Sequence, residues 1–262
     1  MSCAFLYDDK SRAAVVSSSG TLGDGGVDRL ADPQPRHRMR LSGTSVQFTM
    51  DLGAVYPIDV FALISTTLTS AGTVRIRASA VDSTALSLLA HDTGVVAGVT
   101  GADRLGQVVH IPPNRKNVRY VRWDLTEPSG ASIDVGLAPL GPLWRPLRNY
   151  SYGAQRGRQD YSIRDGNART GANFGVKGAQ ARVRAFSLTS LDPTEVAGDV
   201  LQMDVLAGTA GDVLFIPETT DSMLIMAQDS IWGGFRQVGQ PALTTHDSFQ
   251  LLSRNYQMVE RL

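Results

Sequence analysis

The stretch Val46–Ser65, VQFTMDLGAVYPIDVFALIS, is what most limits the folds open to this chain. Val46, Phe48, Met50 and Leu52 alternate with Gln47, Thr49 and Asp51, a two-residue period that predicts a strand with one wet face. Gly53 is expected to end that strand. After a short connection through Tyr56 and Pro57, the run Ile58 to Ile64 is almost continuously apolar, as in a strand buried on both faces. A helix would need apolar residues three and four apart, and the stretch does not supply them.

The same alternation returns downstream. In Thr73–Ala80, Val74, Ile76 and Ala78 face one way and Arg75 and Arg77 the other. In Val118–Leu125, Val121, Trp123 and Leu125 oppose Arg122 and Asp124, which makes Trp123 a core residue. Ile133, Val135 and Leu137 form a last alternating set, with shorter strands expected at Ala13–Val16, Leu86–Leu89 and Gln107–Ile111. About eight short strands without a convincing helix predict a β-sandwich or jelly roll.

Past a proline-rich seam, Pro139 to Pro146, the composition changes. Leu147–Gly178 is rich in Gly, Arg, Asn and Tyr and poor in aliphatics, so it is expected to form a long hairpin or arm turning at Asp165-Gly166. Val183–Leu191 regains strand character. It leads into Asp192-Pro193-Thr194-Glu195, where Asp192 caps, Pro193 suits the first helical position and Glu195 completes a capping box. Val196, Val200, Met203 or Asp204, and Ala207 follow at helical spacing. Leu201, Val205 and Leu206 widen the apolar stripe until Gly208 stops it. Gly198 weakens that helix by about 1 kcal/mol relative to alanine. Strands are expected again at Val213–Ile216, Met223–Ala227, Ile231–Val238 and Phe249–Arg261. The fold class is therefore mainly β: a jelly-roll sandwich over residues 1–145, then a small β-sandwich or barrel with one packed helix over 146–262, its arm at 147–178.

With 262 residues the chain can bury a substantial core, and its 26 glycines suit turn-rich β structure. Lys plus Arg and Asp plus Glu both number 25, so no overall field draws it onto nucleic acid or an anionic membrane. The dense basic cluster Arg36, His37, Arg38 and Arg40 lacks the stacking aromatics that a nucleic-acid contact uses, and is expected to be a solvated loop or a subunit contact. A single cysteine, Cys3, excludes an internal disulfide and a thiolate metal cluster within one chain. No secretory leader is visible in MSCAFLYDDK, and no run reaches the roughly 18 apolar residues of a membrane span, so synthesis in a cytoplasm is expected.

Chemistry is scarcely legible. His37, His91, His110 and His246 are scattered, no two at the short spacing of a local metal site, and His110 in an apolar strand is expected to be a satisfied core residue. There is no G-x-S-x-G elbow and no glycine-rich turn with a Lys-Ser or Lys-Thr ending. Asp24, Asp28 and Asp32 could lend oxygens to calcium, but off EF-hand spacing a turn-forming role serves equally well. No catalytic residue, cofactor or metal ligand is nominated, and the expectation is a protein that is not an enzyme.

VQFTMDLGAVYPIDVFALIS, TVRIRASA, VRYVRWDLTEP and IDVGLAPLGP, in that order, resemble the galactose-binding, discoidin-like jelly-roll superfamily over about residues 1–143. Many members bind sugars or lipid head groups through loops at one end, so the resemblance implies a carbohydrate-binding module as one reading. The whole chain, with PLWRPLRNYSYG, DVLFIP and NYQMVERL, resembles tail-tip proteins of long-tailed bacteriophages. That resemblance implies a discoidin-like domain joined to a domain similar to the tail-tube and distal-tail fold. It further implies a ring, commonly sixfold, bridged by an extended loop that the arm would supply. The partners so implied are other copies of the chain in a hexameric ring and the tube and hub proteins of a virion tail, with host surface glycan as a further partner. Neither nucleic acid nor membrane is among them. Aromatic and arginine side chains are enriched at interfaces, which nominates Trp144, Tyr150, Tyr152, Arg156, Arg158 and Trp232 as contact residues.

Overall fold

A computed structural model describes residues 2–20, 26–81, 88–97, 106–166, 173–236, 240–243 and 251–262. In chain order the first strands are β1 (Ala4–Leu6), β2 (Val15–Ser18), β3 (Met39–Ser42), β4 (Ser45–Ile58), β5 (Val60–Thr66) and β6 (Thr73–Ser79). They are followed by β7 (Leu89–Asp92), β8 (Val96–Ala97), β9 (Gly106–His110), β10 (Lys116–Thr126), β11 (Ser132–Val135) and β12 (Leu140–Gly141). Next come β13 (Gln155–Asp160), β14 (Ile163–Gly166), β15 (Asn173–Val176) and β16 (Gln180–Leu191). The helix α1 runs through Pro193–Glu195, a π turn at Val196–Val200 and Leu201–Leu206. β17 (Val213–Ile216), α2 (Met223–Asp229), β18 (Ile231–Phe235), β19 (Ala242–Leu243) and β20 (Leu252–Glu260) complete the chain. The protein is mainly β with antiparallel sheets, as the alternation predicts.

The chain divides into two compact units, Met1–Pro146 with Val213–Ser230, and Leu147–Asp212 with Ile231–Leu262. In the first, an antiparallel sheet runs β2-β4-β10-β6-β7, with β8 also on β6. β12-β5-β9 and the pair β3-β11 supply further antiparallel layers, and β1 pairs with β17. Phe48, Met50, Ile76, Val121 and Trp123 from the large sheet share one core with Phe61, Leu63, Val108, Leu41 and Ile133 from the other strands. At its centre Trp123 is fully buried and stacked on Phe48, its cross-strand partner, at 6.1 Å.

Gly53 does not end the strand. β4 continues to Ile58, and Gly53, at φ +80°, instead lets the backbone bulge, so that pairing jumps from Asp51↔Tyr120 to Tyr56↔Val118. The Asp51 carboxylate fixes the detour by accepting from the Gly53 N–H at 2.8 Å and pairing with Arg119 at 2.7 Å. The first half also holds two 3-10 turns, Lys10–Ala13 and Val27–Ala31, within stretches read as strand approach and loop.

In the second unit β18-β20-β16-β13 form an antiparallel sheet, with β19 on β20. The capping box forms as expected: Asp192 accepts from the Thr194 N–H at 2.9 Å and Glu195 accepts from the Asp192 N–H at 3.1 Å. Glu195 also accepts from the Leu147 N–H at 2.8 Å, tying the start of the unit to the helix. The π turn encloses Gly198, where the helix was expected to be weakest. Met223–Ala227, expected as a strand, is helical in α2. Ser222 accepts from the Ile225 N–H as its cap, and a short apolar run without alternation suits either state until such a cap decides.

Trp123→Ala is expected to cost about 3–5 kcal/mol, because the residue fills the centre of the first unit. Urea denaturation followed by circular dichroism measures it, and a loss under about 1 kcal/mol would contradict the packing described.

Candidate functional site

The arm is the feature of the second unit that its own sheet does not absorb. Its beginning is anchored: the Ser151 N–H donates to the Ser187 carbonyl at 2.8 Å, and Tyr150 tilts against Phe186 with ring centroids 5.9 Å apart. β13 then pairs along β16 from Gln155↔Ala185 to Asp160↔Gln180, so this part of the expected arm is an edge strand of the sheet. At Tyr161 and Gly178 the two strands pass into a hairpin of their own. A Cβ on Gly178 would lie 2.3 Å from the Tyr161 carbonyl oxygen, so the crossing point admits only glycine.

Beyond that point β14 and β15, among the described residues, pair only with each other, Ile163 opposite Val176 and Asp165 opposite Phe174. Asp165-Gly166 therefore lies in a strand and is not the turn. The connection at 167–172 is outside the described residues. Opposed residues of an antiparallel pair share a face, as do residues two apart. Ile163, Val176 and Phe174 thus form one apolar face, with exposures of 68, 68 and 65%, and Asp165 at its outer end. Tyr161 extends the exposed apolar surface at its base. A lone two-stranded hairpin is marginally stable in water, and a contiguous exposed apolar face marks a contact surface.

The helix carries a second such face. Val200, Met203 and Ala207 pack inward, while Leu201 and Val205, one helical turn apart, and Leu206 remain exposed. The widened stripe read from the sequence is thus split between a buried side and a bare one.

The nominated contact residues fall into two groups. Trp144 and Trp232 are both buried within the chain. Trp144 stacks on Phe5 at 5.0 Å while its backbone exchanges hydrogen bonds with that residue. Trp232 lies in the inward-facing β18, where the next residue, Gly233, meets β20 so closely that a Cβ would sit 2.0 Å from the Val259 carbonyl. Tyr152 is fully exposed and Tyr150 half-buried. Arg156 and Arg158 are exposed on the edge strand β13, opposite Arg184 and Arg182. Ile163, Phe174 and Val176 were missed, because the stretch reads as poor in aliphatics. The alternations Ile163-Arg164-Asp165 and Phe174-Gly175-Val176 were the available signal.

In the first unit the outer surface is charged but paired. Arg75 holds Asp92 at 2.6 Å and pulls its carboxyl down to about 2, Arg77 and Arg122 share Asp124, and Arg115 clasps Asp59 at 2.7 Å. In the basic loop Arg40 makes a bidentate pair with Asp134 and His37 meets Asp32 at 2.5 Å, so two of its side chains face carboxylates. Asp32 is thereby engaged, and Asp24 lies outside the described residues. Buried Glu127 accepts from Thr69 and Ser129, a loop clamp. The structure does bring together two histidines that lie 19 residues apart: His91 Nε2 and His110 Nε2 are 2.9 Å from one another. His110 is therefore half-buried at a polar contact and not enclosed in the core. Burial, then the neighbouring His91, pushes His110 down to about 4, and His91 is lowered by burial and by Lys116 against the pull of Asp92.

No family model and no curated protein matches the chain. Solved structures similar to it include chitosan-binding module 1 of a chitosanase/glucanase from Paenibacillus sp. IK-5, at 15% identity over 51% of this chain and 98% of the module, TM-score 0.40. A fucose binding module of Streptococcus pneumoniae is similar at 11% identity over 51% of this chain and 94% of the module, TM-score 0.41. A Ruminococcus gnavus fucosidase in complex with fucose shows 12% identity over 51% of this chain and 26% of its own, TM-score 0.40. At these identities and scores each is a likeness over half the chain and nothing more.

Ile163→Ser combined with Phe174→Ser is expected to change the stability of the dilute protein by no more than about 0.5 kcal/mol, since both side chains are largely exposed. Gly178→Ala is expected to cost more, because its Cβ meets backbone. Differential scanning calorimetry orders the variants, and a large loss in the serine variant would mean that the face is covered.

Proposed function

We propose that the chain is a structural assembly subunit that joins neighbouring copies of itself through its hairpin arm. The observation carrying this reading is the apolar face Ile163, Phe174 and Val176, held on a hairpin that pairs with no other strand among the described residues. A monomer has no use for such a face, whereas a second copy can bury it. The bare helical stripe Leu201, Val205 and Leu206 offers an apolar surface of the same kind. A contact between two different surfaces of identical subunits is head-to-tail and closes into a ring when the rotation permits. The setting we infer is the distal tail or baseplate of a long-tailed bacteriophage, with tube and hub proteins as further neighbours. This setting rests on the sequence resemblance of PLWRPLRNYSYG, DVLFIP and NYQMVERL.

The competing reading is a carbohydrate-binding module in the first unit. Against it, the exposed large apolar residues described there, among them Val15, Val55, Leu88 and Val95, are aliphatic, so an exposed ring on which a sugar could stack is lacking among the described residues. The chitosan and fucose named for the similar structures define the glycans to screen.

Light scattering across a concentration series is expected to show a closed oligomer for the natural chain, and dissociation to monomer for the variant carrying Ile163→Ser and Phe174→Ser with its circular dichroism unchanged. A strictly monomeric natural chain that binds one of those glycans would replace the assembly reading with the carbohydrate one.

A further inference from the structure

We propose that His91 and His110 form a two-imidazole site for Zn²⁺ at the margin of the first unit. Among the described residues the pair is a cluster of metal-ligating side chains that neither the core nor the assembly reading uses. Their ring centroids are 5.0 Å apart while the Nε2 atoms are 2.9 Å apart, so the rings meet nearly end to end, with nitrogens and not faces in contact. In the metal-free protein one Nε2–H donates to the lone pair of the other Nε2. Zinc bonded to each nitrogen at about 2.0–2.1 Å in tetrahedral geometry needs the two nitrogens roughly 3.3 Å apart. Replacing the shared proton by the metal therefore asks for a few tenths of an ångström of opening and a tilt of the rings.

Two observations favour such occupancy. The rings are half-buried, reachable from solvent yet supported, with Phe61 stacked on both at 5.6 and 6.5 Å. His91 lies on β7, the end strand of the large sheet, and His110 on β9, the end strand of β12-β5-β9, so a metal held between them ties two strand edges that hydrogen bonds do not join. Among the described residues no group of three or more His, Cys, Asp and Glu side chains converges, and the nearby Asp92 is held by Arg75. Water completes the coordination, as in an open zinc site.

The test is thermal unfolding of the chelator-stripped full chain with Zn²⁺ or Ca²⁺ added. Zn²⁺ is expected to raise the melting temperature by several degrees, and Ca²⁺, which takes oxygen ligands, to leave it unchanged. His91→Ala and His110→Ala are each expected to abolish the zinc shift, and His37→Ala to retain it. No shift at millimolar Zn²⁺, or a shift that persists in both site variants, overturns the proposal. If the site variants fail to fold, imidazole resonances of the natural chain decide: changes at His91 and His110 on adding Zn²⁺ support the site, and silence there rejects it.

Discussion

The first unit depends on the pairing of β4 with β10, which sets the register for everything built around it. From Ser45↔Thr126 to Asp51↔Tyr120 every second residue of both strands points inward, and Phe48 against Trp123 is the contact at the middle. Moving β4 by one residue would expose Phe48 and Met50, and moving β10 would expose Val121 and Trp123, so the register is strongly specified. β6 extends the same order on the far side of β10, placing Ile76 opposite Trp123. The bulge at Gly53 then lets β4 bend away once the central register is secured, and the Asp51–Arg119 pair marks where the regular ladder stops.

The parts of this fold legible in the sequence are those where one periodic signal dominates. β4, β6 and β10 carry alternation over many residues, and β5 is uniformly apolar because both of its faces are buried. Errors arose where a local cue had two physical outcomes. Gly53 could end a strand or bulge it, and the opposing strand decided. Met223–Ala227 could be strand or helix, and its Ser222 cap decided. Asp165-Gly166 has turn chemistry, yet pairs inside β14. The compact units were harder still to read, because Val213–Ser230 belongs with Met1–Pro146 although it follows Leu147–Asp212 in the chain.

The candidate surfaces show the same limit. Aromatic residues at an interface and aromatic residues in a core are one composition, and only burial separates them. Trp144 and Trp232 went to the core, each beside a neighbouring strand that leaves no room, while Tyr152 stayed outside. The decisive side chains, Ile163, Phe174 and Val176, are individually ordinary. Pairing across β14 and β15 puts them on one face, and that adjacency spans a connection no sequence window bridges. The histidine pair is a tertiary coincidence of the same type, since His91 and His110 meet only because β7 and β9 close on one margin.

The second unit combines protected and unprotected surfaces, and the contrast bears on what it is for. Its edge strand β13 carries Arg156, Arg158 and Asp160, charged side chains of the sort that discourage unplanned strand pairing. The buried pair Arg254–Asp204, at 2.7 Å, and Arg261–Asp212, at 2.6 Å, fix α1 and its following turn to the sheet and leave the inward face fully used. Against that care, an apolar hairpin and an apolar helical stripe left in water are costly unless they are covered in use. Charge lies along the edge strand β13, whereas bare apolar area remains on β14, β15 and α1. Selective protection of this kind is what the proposed assembly reading would call for.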